Sequence, residues 1–296
     1  MTGATANDFA PEVLKLFDQF VHGAITRRDF LNAASKYAVG GTTAAGLLSA
    51  LTPNFAAAQQ VKTDDPRIKT SYIEYASPQG YGKIRGYLTQ PANGKGKLPT
   101  VLVVHENRGL NPHIEDIARR LALDNFIAFA PDALTPLGGY PGDEDKAREL
   151  FGKLEQSKTR EDFVAAASFL KKLPEGNGKV GVVGFCFGGG IANLLATRIP
   201  DLAAAVPFYG SQPPVEDVAK IKAPLLIQYA QNDERINAGW PKYEAALKAA
   251  DIKYEAYIYP DTEHGFNNDT TPRYNEAAAK LAWKRTVDFF AKQLKS

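Results

Sequence analysis

An α/β fold with a mainly parallel central sheet and helices on both faces is what this sequence predicts, on three observations. From about residue 71 onward, strand-like segments alternate with segments of helical period. Several of the strand-like runs, residues 100–104 above all, are almost continuously apolar and rich in β-branched residues, as befits strands covered on both faces. Acidic and imidazole side chains come directly after such runs, where an open parallel sheet forms its ligand crevice.

Taken in order, residues 72–75 and 84–88 read as an antiparallel hairpin around the glycine-containing stretch 77–83. The strand at 100–104 follows. Asn111-Pro112 then opens a helix in which Ile114, Ile117, Leu121 and Leu123 recur near the helical period. Residues 126–130 form the next strand, and beyond a Gly/Pro-rich loop at 135–143 two helices are expected, at 144–156 and 160–173. Strands at 180–183, 203–209 and 224–229, a helix at 243–250, a strand at 254–259 and a helix at 276–294 complete one domain over 59–296.

With 296 residues, 44% hydrophobic and 23% charged, the chain can bury a substantial core. A net charge of +2 and the lack of any long block of like charge leave no electrostatic footprint for nucleic acid. A single cysteine cannot form an intramolecular disulfide, so cysteine count does not set the compartment.

Residues 1–58 read as an N-terminal targeting extension. Thr26-Arg27-Arg28-Asp29-Phe30-Leu31 is a twin-arginine pattern, followed by a weakly apolar stretch at 37–51 and by Ala56-Ala57-Ala58, a small-residue cleavage site that places the mature start at Gln59. This predicts handling by the twin-arginine export machinery and a periplasmic or exported destination. The apolar stretch falls short of the roughly 20 residues a membrane-spanning helix needs. Asp8, Glu12 and Asp18 precede the arginines, whereas an export signal normally starts short and positive, so a retained amphipathic or anchoring helix with cytoplasmic residence is the alternative. His22 is read as part of this segment.

The feature richest in chemistry is Cys186 in Gly184-Phe185-Cys186-Phe187-Gly188, set between a buried strand and a helical stretch. A side chain thrown out at so sharp a corner needs flanking residues without Cβ atoms, which is the logic of the G-x-S-x-G nucleophile elbow, here with sulfur for oxygen. A lone cysteine packed as a small hydrophobe is the plainer reading. The two flanking glycines, the strand before and the helix after favour the elbow. A phosphate loop is excluded because no Gly-Lys-Ser/Thr follows.

Asp233 follows the strand at 224–229 and His264 the last strand, giving the chain order nucleophile, acid, histidine. An imidazole at His264 can hold Cys186 as thiolate and activate water, with Asp233 orienting the ring. Glu106 lies in His105-Glu106-Asn107-Arg108-Gly109, directly after the strand at 100–104. The backbone amides of Asn107 and Phe187 are the expected oxyanion hole. A zinc motif fails there, since H-E-x-x-H would need histidine where Gly109 stands. His113 reads as a loop or helix-start residue.

Glu106, Gly184-Phe185-Cys186-Phe187-Gly188-Gly189, Phe208-Tyr209-Gly210, Asp233 and His264-Gly265-Phe266 together resemble the dienelactone hydrolase (carboxymethylenebutenolidase) family of α/β-hydrolases, over nearly all of the chain after the extension. The resemblance implies Cys186 as nucleophile, His264 and Asp233 as its partners, Glu106 as a switchable base for the thiol, and Tyr209 lining the pocket near the acyl oxygen. No metal or organic cofactor is implied. The family's two carboxylate-binding arginines are missing: the loop at 131–137 has none, and Asn268 stands four residues after His264. Arg108, Arg235 and Arg273 are the candidate substitutes, and dienelactone itself stays open as substrate. The expected activity is hydrolysis of a small ester or lactone through a cysteine thioester, by a monomer. The alternatives are a binding protein with a vestigial triad, and thiol redox chemistry, which lacks a resolving cysteine.

Overall fold

The computed structural model describes residues 4–295, and its first elements are helical: α1 (Pro11–Val21), α2 (Arg27–Ala34), α3 (Ala44–Leu51) and the single turn α4 (Phe55–Ala58). The two arginines of the export pattern are the first residues of α2. Thr26 caps that helix, its hydroxyl accepting from the Asp29 amide at 3.2 Å while Asp29 accepts from the Thr26 amide at 2.9 Å. Val13, Leu14, Phe17 and Phe20 share one face of α1 and bury against Phe30, Ala34, Leu48 and Leu51, a small core of the extension's own. The stretch expected to be weakly apolar at 37–51 is not one helix, because Gly40 and Gly41 take positive φ and break it before α3. Among the described residues no helix is long and apolar enough to cross a membrane.

The elements of the main domain then follow as β1 (Ile68–Ser77), β2 (Gly82–Pro91), β3 (Leu98–Val104), α5 (Pro112–Leu123), β4 (Ile127–Pro131), α6 (Glu144–Phe151), α7 (Gln156–Lys171) and β5 (Gly176–Phe185). After these come α8 (Phe187–Arg198), β6 (Ala204–Phe208), β7 (Leu225–Asn232), α9 (Glu234–Asn237), α10 (Trp240–Ala249), β8 (Tyr254–Glu263) and α11 (Glu276–Leu294). The eight strands form one sheet in the order β1-β2-β4-β3-β5-β6-β7-β8. β1 and β2 are antiparallel, β2 runs antiparallel to β4, and β4 through β8 are parallel. The expected mixed sheet with an opening hairpin is therefore present.

One face is covered by α5 and α11, whose Ile114, Ile117 and Phe290 pack on Val101, Val103 and Val206. The opposite face is covered by α6, α7, α8 and α10, with Phe163, Leu195 and Leu247 over Leu102, Val182 and Ile227. Residues alternate between the two cores along β3 and β5, so continuous apolarity is what two-sided burial requires. The boundary between the paired helices differs from expectation: α6 stops at Phe151, because Gly152 terminates it, and α7 starts four residues earlier than read. Pro260 sits inside β8, which the sheet tolerates because β8 is an edge strand.

Candidate active site

The corner after β5 is as tight as the glycine spacing requires. Cys186 has φ 56° and ψ −112°, a strained backbone for a residue with a Cβ. A Cβ at Gly184 would overlap the Gly188 carbonyl, one at Gly188 the Val104 carbonyl, and one at Gly189 the Phe208 carbonyl. Glycine is thus demanded at all three positions, and Cys186 is left at the N-terminus of α8 where the helix dipole favours a thiolate.

Two distant loops converge on it. β7 ends at Asn232 and delivers Asp233, which also caps α9; β8 ends at Glu263 and delivers His264. The Asp233 carboxylate accepts from His264 Nδ1 at 2.5 Å, which fixes the tautomer and leaves Nε2 for the sulfur. Both side chains are buried. Burial opposes a charged imidazole at His264, but the Cys186 thiolate and the Asp233 carboxylate outweigh it and raise its pKa to about 10. At Cys186 burial likewise opposes the thiolate, and the imidazoles of His22 and His264 overcome it, lowering the thiol to about 6.

His22 was read as part of a targeting segment, and the structure places it against Cys186. It caps the C-terminus of α1, with Nε2 3.2 Å from Cys186 Sγ and its ring 4.8 Å from that of His264, edge on. Its Nδ1 lies 2.8 Å from the Asp18 carbonyl and 3.2 Å from the Asp18 carboxylate. Nothing in the sequence flagged it, since its only local companion is Asp18 one turn back and its chemical partner is 164 residues away. His22, Cys186 and His264 offer ligand atoms within 4.8 Å of one another, a grouping that could be read as a metal centre. Arg235 Nη2 lies 3.1 Å from His22 Nε2, so a positive charge already stands beside one of the three groups, an environment that suits a thiolate better than a bound cation.

The loop after β3 is held by two buried groups that sequence reasoning left structureless. His105 Nε2 accepts from the Ala133 amide at 3.2 Å, so Nδ1 carries the proton and donates to the Glu106 carbonyl at 2.5 Å. Asp132 accepts from the amides of Leu110, Leu134 and Tyr140, tying this loop to the one after β4. Glu106 faces the space over Cys186, its carboxylate held by Asn268 Nδ2 at 3.0 Å. Asn268, which replaces one expected arginine, therefore orients the acid.

The remaining predicted residues are distributed as follows. Asn107 and Phe187 flank the sulfur from the β3 loop and the start of α8, and the Asn107 side chain donates to the Val21 carbonyl of α1 at 2.8 Å. Arg108 is buried and donates to the same carbonyl at 3.3 Å. Arg235 and Arg273 approach Asp18 at 3.8 Å each. Tyr209, expected to line the pocket near the acyl oxygen, is fully buried, with its ring 4.9 Å from that of His264. The space over the sulfur is about 50 Å³, walled by Phe17, Phe20 and His22 on one side and Glu106, Arg108 and Arg273 on the other.

A mixed eight-strand sheet with its parallel strands sandwiched between helices and a residue on a strand-to-helix elbow beneath an Asp-oriented histidine defines an α/β-hydrolase. The dienelactone hydrolase family model matches residues 84–294, and a YqhI-like model matches residues 1–39. A Salmonella typhi protein assigned as a carboxymethylenebutenolidase is 35% identical over 219 residues, covering 69% of this chain and 81% of that one. A hydrolase fragment of Escherichia coli K12, YghX, is 58% identical over 108 residues, covering 36% of this chain and 92% of the fragment. Among solved structures, one assigned as a dienelactone hydrolase from Klebsiella pneumoniae superposes with a TM-score of 0.66 at 30% identity, over 76% of this chain and 99% of the other. The chain belongs to the dienelactone hydrolase family, and it is an ester-hydrolysing enzyme acting on a small molecule.

Proposed function

We propose that the protein hydrolyses a small ester or lactone through a thioester on Cys186. The observation that carries this reading is the approach of an Asp233-oriented His264 to a sulfur mounted on a strained elbow. The Cys186 thiolate attacks the acyl carbon, and the amides of Asn107 and Phe187 receive the developing oxyanion. As the carbon–oxygen bond breaks, the His264 imidazolium gives its proton to the departing alkoxide. His264 then takes a proton from water, the hydroxide adds to the thioester, and carboxylic acid and thiolate are released.

His264 favours the thiolate, and Glu106, held by Asn268 over the sulfur, is assigned to taking the remaining thiol proton and to orienting the incoming acyl group or water. Arg108, Arg235 and Arg273 are the groups available to a substrate carboxylate, and the similarity to carboxymethylenebutenolidases supports a lactone among the substrates. The twin-arginine pattern at 26–31 supports delivery of residues 59–296 to the periplasm after cleavage behind Ala58. The direct test is Cys186→Ala, measured on p-nitrophenyl acetate and on dienelactone. Turnover falls by about 10⁴ or more with the fold retained; an unchanged rate refutes the thioester route.

A further inference from the structure

Three polar groups of α1 and its cap meet three groups of the active site. The His22 ring rests on the nucleophile, with Nε2 3.2 Å from Sγ. The Val21 carbonyl accepts from Asn107 Nδ2 at 2.8 Å and from Arg108 at 3.3 Å. The Asp18 carboxylate stands 3.8 Å from both Arg235 and Arg273. A histidine, a carbonyl and a carboxylate thus lie against the sulfur, the oxyanion-side loop and the arginines. We propose that the segment Asp18 to His22 is a built-in occupant of the acyl site, seated where an ester would sit, and that it must withdraw before substrate binds. The proposal rests on the Cys186 hydrolase reading.

Volume and geometry both support it. An attacked carbonyl carbon has to reach about 3–3.5 Å from the sulfur, and His22 Nε2 already stands in that shell. The space left beside it is about 50 Å³, far below the about 300–1,000 Å³ of pockets that take a small-molecule ligand.

The extension is also built to leave as a unit. Its apolar residues bury against one another, separately from both faces of the sheet. What ties it to the domain is mainly polar: the Arg27 ion pair with Asp145 at 2.6 Å, and Arg148 and Arg273 lying over the Phe20 and Phe17 rings at 4.3 and 5.1 Å. Behind it the chain is pinned, because the Val61 amide donates to buried Asp116 at 2.8 Å and Arg119 donates to the Val61 carbonyl at 2.8 Å. The expected cleavage point after Ala58 lies just upstream of that anchor, so cutting there frees the plug and spares the domain.

The test uses the full chain with a specific protease site placed between Ala58 and Gln59, before and after cutting, and the full-length variant Asp18→Lys, which sets a cation against Arg235 and Arg273. Two quantities are read: kcat/KM on p-nitrophenyl butyrate, and the ratio of Cys186 alkylation rates by a bulky fluorescent maleimide and by iodoacetamide, in which the thiolate fraction cancels. Circular dichroism checks that each form is folded. If the plug is seated most of the time, both quantities rise on the order of tenfold or more in the cut chain and in Asp18→Lys. An unchanged alkylation ratio in both overturns the proposal. A raised ratio with no turnover in any form keeps the occupant and removes the hydrolase reading instead.

Discussion

Cys186 has an imidazole on two sides, and the two are mounted in opposite ways. His264 stands at the end of β8, whose pairing with β7 continues to Asn232 opposite Glu263, and its ring is clamped by buried Asp233 at 2.5 Å. His22 stands at the end of α1 in an extension with its own core, and its ring is oriented by Asp18 of the same helix. Moving His264 means breaking strand pairing in the sheet. Moving His22 means giving up the hydrogen bonds of Asn107, Arg108 and Arg148 to the Val21 and Phe20 carbonyls, the contacts of Arg148 and Arg273 with the Phe20 and Phe17 rings, and ion pairs such as Arg27–Asp145, whose side chains are 53% and 41% exposed and which is worth about 0–1 kcal/mol. The comparison teaches that position near the sulfur does not by itself make a histidine part of the catalytic machinery; the mounting decides whether it stays for the reaction.

The largest effect that could break this comparison is on turnover. His264→Gln is expected to lower kcat/KM by about 10³–10⁴, the loss that follows removal of a triad member. The matched change His22→Gln leaves turnover intact or raises it. Equal losses in the two variants would make His22 a catalytic base and end the distinction.

A smaller effect sharpens it. Both imidazoles pull the thiol down to about 6, so alkylation of Cys186 by iodoacetamide in the full chain rises as pH passes through about 6 and then levels. His22→Gln removes one of the two cations, and the midpoint therefore moves upward, toward the ordinary thiol value. A midpoint that stays in place would mean that His22 does not contact the sulfur in solution.

Much of the catalytic half was legible because its signals are local. Apolar runs marked buried strands, Asn111-Pro112 marked the start of α5, and glycines at fixed offsets marked the elbow, where the structure shows that a Cβ would strike backbone. Asp233 and His264 could be placed because each follows directly on a strand end. His22 was not legible, since no spacing rule links a helix cap to a residue 164 positions away. The fold of the extension was not legible for a related reason: twin arginines and a weakly apolar stretch describe an export pattern, and the same residues, with Thr26 and Asp29 as caps and Phe17, Phe20 and Phe30 as core, also form a small helical bundle. His105 and Asp132 escaped because their partners are backbone amides in a neighbouring loop, which leave no mark on sequence.

The claim on which the rest depends is that the Cys186 sulfur carries the acyl group. Acid quench of the protein during turnover of a p-nitrophenyl ester, followed by peptide mass spectrometry, tests it directly. The account predicts an acyl adduct on the peptide containing Cys186, accumulating before steady state and lost again as substrate runs out. Turnover with no adduct on that peptide, or with the acyl group on another residue, would contradict it.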